Sequence, residues 1–286
     1  LSILLPLLLC LLLLGGTIFS LANLYHNPSY ARADYRGMAQ RIAQDDFSDA
    51  GIILTAPNQW EVFTYYHRDA APVYPLPKGQ PDPAILEPEL SAIAAKHDRL
   101  YAIFWGEAQR DPQRVIERWL EKHTFKASEE WIGDVRFVVY AVPGQSAQTM
   151  ENEVDLTFGD LITLQGYTLH NDRLAAGEIL PLTLFWQAEK PVAERYKVFL
   201  HLLDEDGTLI AQSDSEPGGG LAPTTSWSAG ETVVDNHGLL LPQELMAGEY
   251  TLLMGLYGLS DPMARLLLIN EGEARDAWEI ASFVLD

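Results

Sequence analysis

The chain opens with an uninterrupted apolar run. Residues 1–24 contain no charged side chain. As a helix, a stretch of this length would extend about 36 Å, enough to cross a hydrocarbon core of about 30 Å. The pattern therefore predicts a transmembrane helix over 1–24. The alternative is a secretory signal peptide, which the small residues at 31–33 favour, but the length of the stretch and the missing basic region before it oppose that reading.

The chain starts with Leu1, already inside the apolar run. This start predicts that the helix is the last of several in a longer membrane polypeptide. Arg32, Arg36 and Arg41 follow closely and would draw the next segment to the cytoplasm under the positive-inside rule, but large domains translocate largely regardless of nearby charges. The residues alone do not determine on which side of the membrane the domains after the helix lie.

Residues 30–144 alternate short apolar strands with helical patterns. The predicted strands are 51–55, 73–76, 100–105 and 135–142. The predicted helices are one with Tyr35, Met38 and Ile42 on one face, then 57–67, 85–94 and one opened by Asp111 as N-cap with Pro112 at its first position. This alternation implies parallel strands joined by right-handed crossovers. We therefore expect a small α/β domain with a Rossmann-like arrangement.

From residue 150 onward the hydrophobic pattern has a period of two. Leu182, Leu184 and Trp186 alternate with Thr183 and other residues of the opposite face. Between two further apolar runs lies an Asp-Gly pair at 206–207, a strong hairpin signal. The readable strands are 162–170, 182–187, 197–204, 208–214, 231–241, 249–257, 266–270 and 278–285. This pattern predicts that residues 150–286 form an antiparallel β-sandwich of immunoglobulin-like or jelly-roll type.

Charge distinguishes the two predicted domains. The chain has a net charge of -21, which repels phosphate backbones and excludes nucleic acid as a partner. Residues 25–149 contribute 17 acidic and 13 basic side chains, whereas residues 150–286 contribute 23 and 6. The polar stretch 143–148 between them is the predicted linker. The single cysteine, Cys10, excludes an intrachain disulfide and a cysteine-based metal cluster.

Aromatic and polar side chains follow two predicted strands of the α/β domain. Ligands of open α/β sheets bind beyond the carboxyl ends of the strands, and a sugar ring needs an aromatic face beside a few directed polar groups. The candidate ligand-binding residues are Trp60, Tyr65, Tyr66, Trp105 and Glu107. The alternative is that these aromatic residues pack at the edge of the core.

Three other groups of residues are candidates for a chemical or packing role. Asp45-Asp46 resembles the acidic motifs that hold a divalent ion in sugar transferases, and solvated surface carboxylates are the alternative. His201, Asp235 and His237 would form a zinc site if their strand faces met, whereas hydrogen-bonded core histidines are the commoner arrangement. Trp227 is expected to close a loop by packing. We assign no catalytic residue, no metal and no cofactor.

The motifs resemble a family of membrane enzymes. Segments 33–37, 51–60, 65–66 and 100–111, with Trp119-Leu120, resemble the extracytoplasmic C-terminal region of polytopic GT-C-fold glycosyltransferases. These are related to protein O-mannosyltransferases and aminoarabinose transferases. The sandwich segments that resemble a β-domain appended to some of these enzymes are Tyr167, LTLFWQ at 182–187, YKVFLHLLD at 196–204, Pro223-Thr224, Trp227, Gly230-Glu231, Asp235, His237 and Gly255 to Tyr257.

The resemblance implies a function for the longer membrane protein to which this chain is expected to belong. It implies no catalytic role for the chain itself. Family members transfer sugar from a polyprenyl-phosphate donor, and their catalytic aspartate lies in an early extracytoplasmic loop that this sequence does not contain. We therefore expect an accessory extracytoplasmic part of a membrane glycosyltransferase, located at the cell membrane. Its expected partners are the lipid bilayer and a glycan or acceptor substrate. The alternative is a single-pass membrane-anchored carbohydrate- or protein-binding module without enzyme activity.

Overall fold

The fold comes from a computed structural model that describes residues 4–27, 33–45, 47–68, 70–142, 149–270 and 273–285. Helix α1 spans Leu4–His26. Within it, the stretch Leu9–His26 is long and apolar enough to cross a membrane by length and composition, and none of it is buried. An apolar N-terminal helix is therefore confirmed. The predicted linker at 143–148 lies outside the described residues.

The first unit is a mixed five-stranded sheet with helices on both faces. Its strand order is β2-β1-β3-β5-β4; β1 pairs parallel with β2 and β3, whereas β5 runs antiparallel to β3 and β4. The strands are β1 (Ala50–Leu54), β2 (Val73–Pro75), β3 (Arg99–Phe104), β4 (Phe125–Ile132) and β5 (Val135–Ala141). The helices are α2 (Tyr35–Asp45), α3 (Trp60–Tyr66), α4 (Pro83–Ala94), α5 (Glu107–Arg110) and α6 (Val115–His123).

Alternate residues of β1 pack into two separate hydrophobic cores, one on each face of the sheet. Ile52 faces α2 and α3, where Met38 and Phe63 are fully buried. Ile53, its neighbour in β1, faces the core that contains residues of α4 and α6, such as Leu90. Strands covered on both faces read as continuous apolar runs rather than as alternating ones, which is why these strands were recognisable in the sequence.

Two predicted details of this unit are corrected. The helix expected to begin at Asp111-Pro112 begins at Val115, after Arg114 adopts a left-handed conformation with φ of 53°. Asp111 still stabilises the start of this helix, because its Oδ2 accepts a hydrogen bond of 2.9 Å from the Ile116 amide. Strand β4 was not predicted, because its outer half, Glu129–Trp131, is polar and exposed.

The second unit consists of two antiparallel sheets around one core. One sheet has the order β11-β8-β7-β6-β14-β15, and the other has β10-β9-β12-β13 with β16 also paired to β12. The strands are β6 (Asn152–Phe158), β7 (Ile162–Leu169), β8 (Ile179–Ala188), β9 (Tyr196–Asp204), β10 (Leu209–Ser215), β11 (Thr232–Leu240), β12 (Gly248–Gly258), β13 (Asp261–Arg265), β14 (Leu268–Asn270), β15 (Glu273–Arg275) and β16 (Trp278–Leu285). The predicted hairpin is the β9–β10 turn, where Gly207 has φ of 77°.

The inner face of β8 fills the core of this second unit. Leu182, Leu184 and Trp186 are all almost completely buried there, together with Leu200 and Met254 of the facing sheet. The period-two pattern thus identified the inward residues of β8 correctly. The strands β6, β13 and β15 were not predicted, because β13 and β15 expose every residue and β6 buries only one of its seven residues.

The two units pack closely against each other. The outer face of β8 and β11 lies on β4, and Gly238 allows the approach, because a Cβ there would come within 3.0 Å of the Ala127 Cβ. The Arg99 guanidinium, only 2% exposed, donates a 2.8 Å hydrogen bond to the Gly177 carbonyl. Asn236 donates a 3.1 Å hydrogen bond to the Lys122 carbonyl. This interface fixes which edges of the two units face each other.

Candidate functional site

A cleft of about 550 Å³ lies between the units. We call it the interunit cleft. Strand β4 forms one wall, and strands β9 and β10 with the turn Pro217–Gly220 form the other. The residues that line the cleft include Lys126, Glu129 and Trp131 of the first unit, and Lys197, Gln212, Ser213 and Asp214 of the second.

The cleft exists because only the first part of β4 packs on the second unit. Ala127 packs on Gly238 of the second unit. Between Lys126 and Ser128 the pairing of β4 with β5 shifts register, and a bulge of this kind bends an edge strand. Beyond it, Trp131 is 63% exposed on the open wall of the cleft.

Trp131 gives the cleft the residue type that sugar recognition requires. A large exposed aromatic ring next to amide, hydroxyl and carboxylate groups can stack on the apolar face of a sugar while those groups bind its hydroxyls. Gln212, Ser213 and Asp214 provide one group of each kind along β10. The site therefore combines one aromatic surface with polar groups from a different unit.

Asp214 is held as a charged acceptor. Burial opposes its ionisation, but hydrogen bonds from His201 and Tyr257 and the charge of Lys197 outweigh burial and lower the pKa of Asp214. The His201 Nε2 lies 3.5 Å from Asp214 Oδ1, and the Tyr257 hydroxyl donates to Asp214 Oδ2 at 3.1 Å. Burial and the Asp214 charge in turn raise the pKa of Tyr257 to about 12.

A buried polar group, Glu121, lies behind Lys126 and Gly219, two residues that line the cleft. Its carboxylate accepts a 3.0 Å hydrogen bond from the Tyr140 hydroxyl and lies 3.3 Å from Lys126 Nζ. It also packs directly onto Gly219 of the second unit. Burial raises the pKa of Glu121 in spite of the Lys126 charge. A buried carboxyl group of the first unit thus contacts a glycine turn of the second unit.

The raised pKa of Glu121 predicts a pH dependence. A carboxyl whose pKa rises on folding binds more protons in the native state, so its contribution to the free energy of unfolding falls as pH rises from the ordinary carboxyl pKa through the raised one. Glu121→Gln stays neutral and is expected to gain stability relative to the unaltered chain as pH rises above the ordinary glutamate pKa of about 4.3. Denaturant unfolding at several pH values measures this difference, with exposed Glu244→Gln as the control. A difference that stays constant or falls with pH would contradict it.

The sequence-predicted binding residues lie in two separate places. Trp60, Tyr65 and Tyr66 are exposed on α3. Glu107 instead lines a cavity of about 390 Å³ that shares Glu129 and Trp131 with the interunit cleft. The cavity that Glu107 lines contains none of the three α3 residues. Ligand binding by any of the five stays a prediction.

The polar atoms of two predicted residues have protein partners. The Trp105 indole donates a 2.7 Å hydrogen bond to Asp134. Glu107 accepts a 2.7 Å hydrogen bond from Arg136, which also bonds Glu117 at 2.6 Å. Glu107 therefore belongs to an ion-pair network at the border of the cleft.

The metal candidates do not converge. His201 pairs with Asp214, whereas His237 lies 2.6 Å from Asp235 in the interior. Among the described residues no group of three or more His, Cys, Asp or Glu side chains is arranged to hold a metal ion. Asp45 accepts a 2.8 Å hydrogen bond from Tyr101, and Asp46 lies outside the described residues.

Trp227 packs as expected. Its ring is buried, and its indole donates a 2.9 Å hydrogen bond to the Ala222 carbonyl. Sequence reasoning missed Trp131 because it missed β4. The available signal was the alternation of Phe125 and Ala127, both buried, ahead of an aromatic residue in polar surroundings.

Comparison with known proteins found only distant similarity. No family model and no curated protein matches the chain. Among solved structures, the C-terminal domain of Wzt is 15% identical with a TM-score of 0.31, covering 45% of this chain and 74% of that chain. A β-glucuronidase from glycoside hydrolase family 2 is 10% identical with a TM-score of 0.26, covering 46% and 12%. A Bacteroides uniformis β-glucuronidase is 14% identical with a TM-score of 0.24, covering 48% and 15%. Similarities of this size define neither a family nor a function.

Proposed function

We propose that this chain is a membrane-anchored, carbohydrate-binding accessory part of a glycosyltransferase that uses a polyprenyl-phosphate sugar. The observation that carries the binding role is the interunit cleft, which is lined by exposed Trp131 and by the amide, hydroxyl and carboxylate residues of β10. In this role α1 anchors the chain, and both units lie on the extracytoplasmic side. The cleft holds the acceptor glycan while the chemistry takes place in the membrane part of the enzyme.

The fold supports this proposal in two respects. Three parallel strands covered by helices on both faces favour a Rossmann-like class for the first unit, and two antiparallel sheets around one core favour an immunoglobulin-like or jelly-roll sandwich for the second. The cleft lies where two edge strands from these units face each other. Ligand sites commonly occupy such boundaries between domains.

The same cleft would serve a single-pass anchored binding module that has no enzyme attached. The open reading frame separates the two cases. Several apolar spans upstream, with an acidic residue in the first extracytoplasmic loop, support the enzyme. Their absence supports the module.

The binding proposal makes a direct prediction. Trp131→Ala in the full chain, held in lipid nanodiscs, is expected to weaken binding to the best ligand of an oligosaccharide panel about tenfold, equivalent to about 1.4 kcal/mol. Aromatic stacking on a nucleic-acid base is worth about 1 to 3 kcal/mol, and a sugar ring belongs at the low end. Titration calorimetry measures the affinity.

Two controls locate the site. Trp131→Phe keeps an aromatic face and is expected to retain most of the affinity, whereas Trp60→Ala is expected to leave it unchanged. Affinity lost in Trp60→Ala or Trp105→Ala but kept in Trp131→Ala would move the site to the strand ends that the sequence pattern indicates. Absence of binding across the panel would refute the carbohydrate proposal.

A further inference from the structure

A serine, a histidine and an aspartate form a continuous chain of hydrogen bonds beside the interunit cleft. The Ser215 Oγ lies 3.3 Å from His237 Nδ1, and His237 Nε2 lies 2.6 Å from Asp235 Oδ2. Ser215 ends β10 and lines the cleft, whereas His237 and Asp235 belong to β11 and are each only 1% exposed. The serine is therefore the member of this chain that a molecule in the cleft can contact.

Asp235 is held as an ionised carboxylate. Its Oδ1 accepts a 2.9 Å hydrogen bond from the Gly218 amide, and its Oδ2 accepts one of 3.3 Å from the Trp186 indole besides the bond from His237. Burial opposes its ionisation, but these three interactions outweigh burial and lower the pKa of Asp235. The carboxylate thus has a fixed position, and in its ionised form it only accepts hydrogen bonds.

The bond to Asp235 determines which nitrogen of His237 carries the proton. Because the carboxylate only accepts, Nε2 must donate, and Nδ1 of the neutral imidazole is then an acceptor. The Ser215 hydroxyl is therefore the donor to Nδ1. In the best-studied triads Nε2 contacts the serine and Nδ1 the aspartate. Here the two nitrogens are exchanged, but the imidazole is again placed to take the serine proton while a carboxylate orients it.

The glycine turn after Ser215 supplies a second requirement of acyl transfer. An ester carbonyl under attack develops negative charge on its oxygen, and main-chain amides in turns stabilise such charge. The turn Pro217–Gly220 already uses the Gly218 amide on the Asp235 carboxylate. Gly219, the next residue, lines the cleft. Its amide is the candidate donor to the oxyanion.

We propose that Ser215 is a nucleophile for carboxylic esters bound in the interunit cleft, with His237 as general base and Asp235 as positioning residue. The Ser215 Oγ bonds to the ester carbonyl carbon while His237 takes its proton. The acyl C–O bond of the ester then breaks, and the alcohol leaves with that proton. Water cleaves the acyl-serine by the same path and releases a carboxylic acid. That the ester is an O-acyl group on a sugar rests on the proposed function, whereas the serine chemistry does not.

A fluorophosphonate probe tests the nucleophile directly. The probe reacts as the serine Oγ–P bond forms and fluoride leaves with the serine proton, so it needs no sugar recognition. On the full chain in nanodiscs, peptide mass spectrometry is expected to find the phosphonate on Ser215 and not on Ser213, which lines the same cleft. Absence of the phosphonate from Ser215, or equal modification of both serines, would overturn the proposal.

Asp235→Asn tests whether the hydrogen-bonded chain activates the serine. The carboxamide does not stabilise an imidazolium, and general base catalysis is worth about 100-fold to 10,000-fold. We expect the folded variant to react with the probe at least about 100-fold more slowly, and exposed Ser228→Ala to react at the unaltered rate. An unchanged rate in folded Asp235→Asn would overturn the proposal. If this variant does not fold, the comparison of Ser215 with Ser213 in the unaltered chain decides.

Hydrolysis of p-nitrophenyl acetate separates this activity from glycan binding, because that ester contains no sugar. The full chain is expected to hydrolyse it, whereas Ser215→Ala should not exceed the uncatalysed rate. Probe labelling and hydrolysis without glycan binding would refute the carbohydrate role and leave the serine activity in place. Glycan binding without labelling or hydrolysis would overturn the serine activity alone.

Discussion

Arg136→Ala is expected to lower the free energy of unfolding by about 3 to 5 kcal/mol, the loss that follows when one partner of a buried ion pair is removed. The Arg136 side chain is 7% exposed and lies 2.6 Å from Glu117, 2.7 Å from Glu107 and 3.4 Å from Glu129. It also covers the Phe104 ring, 4.6 Å from its centroid. Alanine would leave three carboxylates without their shared cation.

The stability lost in Arg136→Ala is expected to come from lost hydrogen bonds as well as from lost charge. Two further variants separate these contributions. Arg136→Lys keeps the charge but cannot bond two carboxylates through separate nitrogens, so an intermediate loss is expected. Arg118→Ala removes an exposed arginine from α6 in the same unit and is expected to change stability by less than about 0.5 kcal/mol. Denaturant titration of the full chain in nanodiscs gives each value. A loss under about 1 kcal/mol in Arg136→Ala would mean that the network does not support the fold.

The elements predicted correctly are those whose pattern reflects complete burial. Strands β1 and β3 are buried at every residue, and apart from Arg99 at the start of β3 their sequences are accordingly continuous apolar runs. In β8 the residues that face the core recur at every second position. In each case local composition and burial agree, because a strand inside a covered sheet has no exposed positions to obscure the signal.

The elements that were missed depend on packing between distant segments. Strand β4 is an edge strand whose Glu129 and Trp131 face the cleft, so its outer half has no local apolar pattern. Trp131 and Asp214 line the same cleft only because β4 packs on β11 of the other unit. No local pattern determines which edge strands of two units face each other. The interunit cleft was therefore not predictable, although its aromatic and polar residue types were.

A glycine turn that lines the cleft, Pro217–Gly220, contacts the buried Glu121 of the first unit. Gly219 has φ of 60°, in the left-handed region, and the Glu121 carboxylate occupies the space of its missing side chain. Its neighbour Gly218 donates a 2.9 Å hydrogen bond to Asp235, a fully buried carboxylate. The turn thus lies between one buried carboxylate from each unit.

Gly219→Ala is therefore expected to destabilise the chain by more than the conformational penalty alone. A left-handed alanine costs about 1 to 2 kcal/mol, and its Cβ would overlap the Glu121 carboxyl group, which Tyr140 and Lys126 hold in place. Gly220→Ala is the matched control, because Gly220 also has a positive φ, 87°, but its nearest neighbour would be 3.9 Å away. Only the first variant should separate the units and reduce glycan binding in the cleft.

A double variant distinguishes overlap from backbone strain. Glu121→Ala removes the overlapping carboxyl group, so Gly219→Ala is expected to cost less in that background than in the unaltered chain. The difference should fall within the range of about 0.5 to 3 kcal/mol that couples residues in contact. Equal costs in both backgrounds, or equal costs for Gly219→Ala and Gly220→Ala, would show that the turn tolerates a side chain there. The Glu121–Gly219 contact would then not be what holds the two walls of the cleft in register.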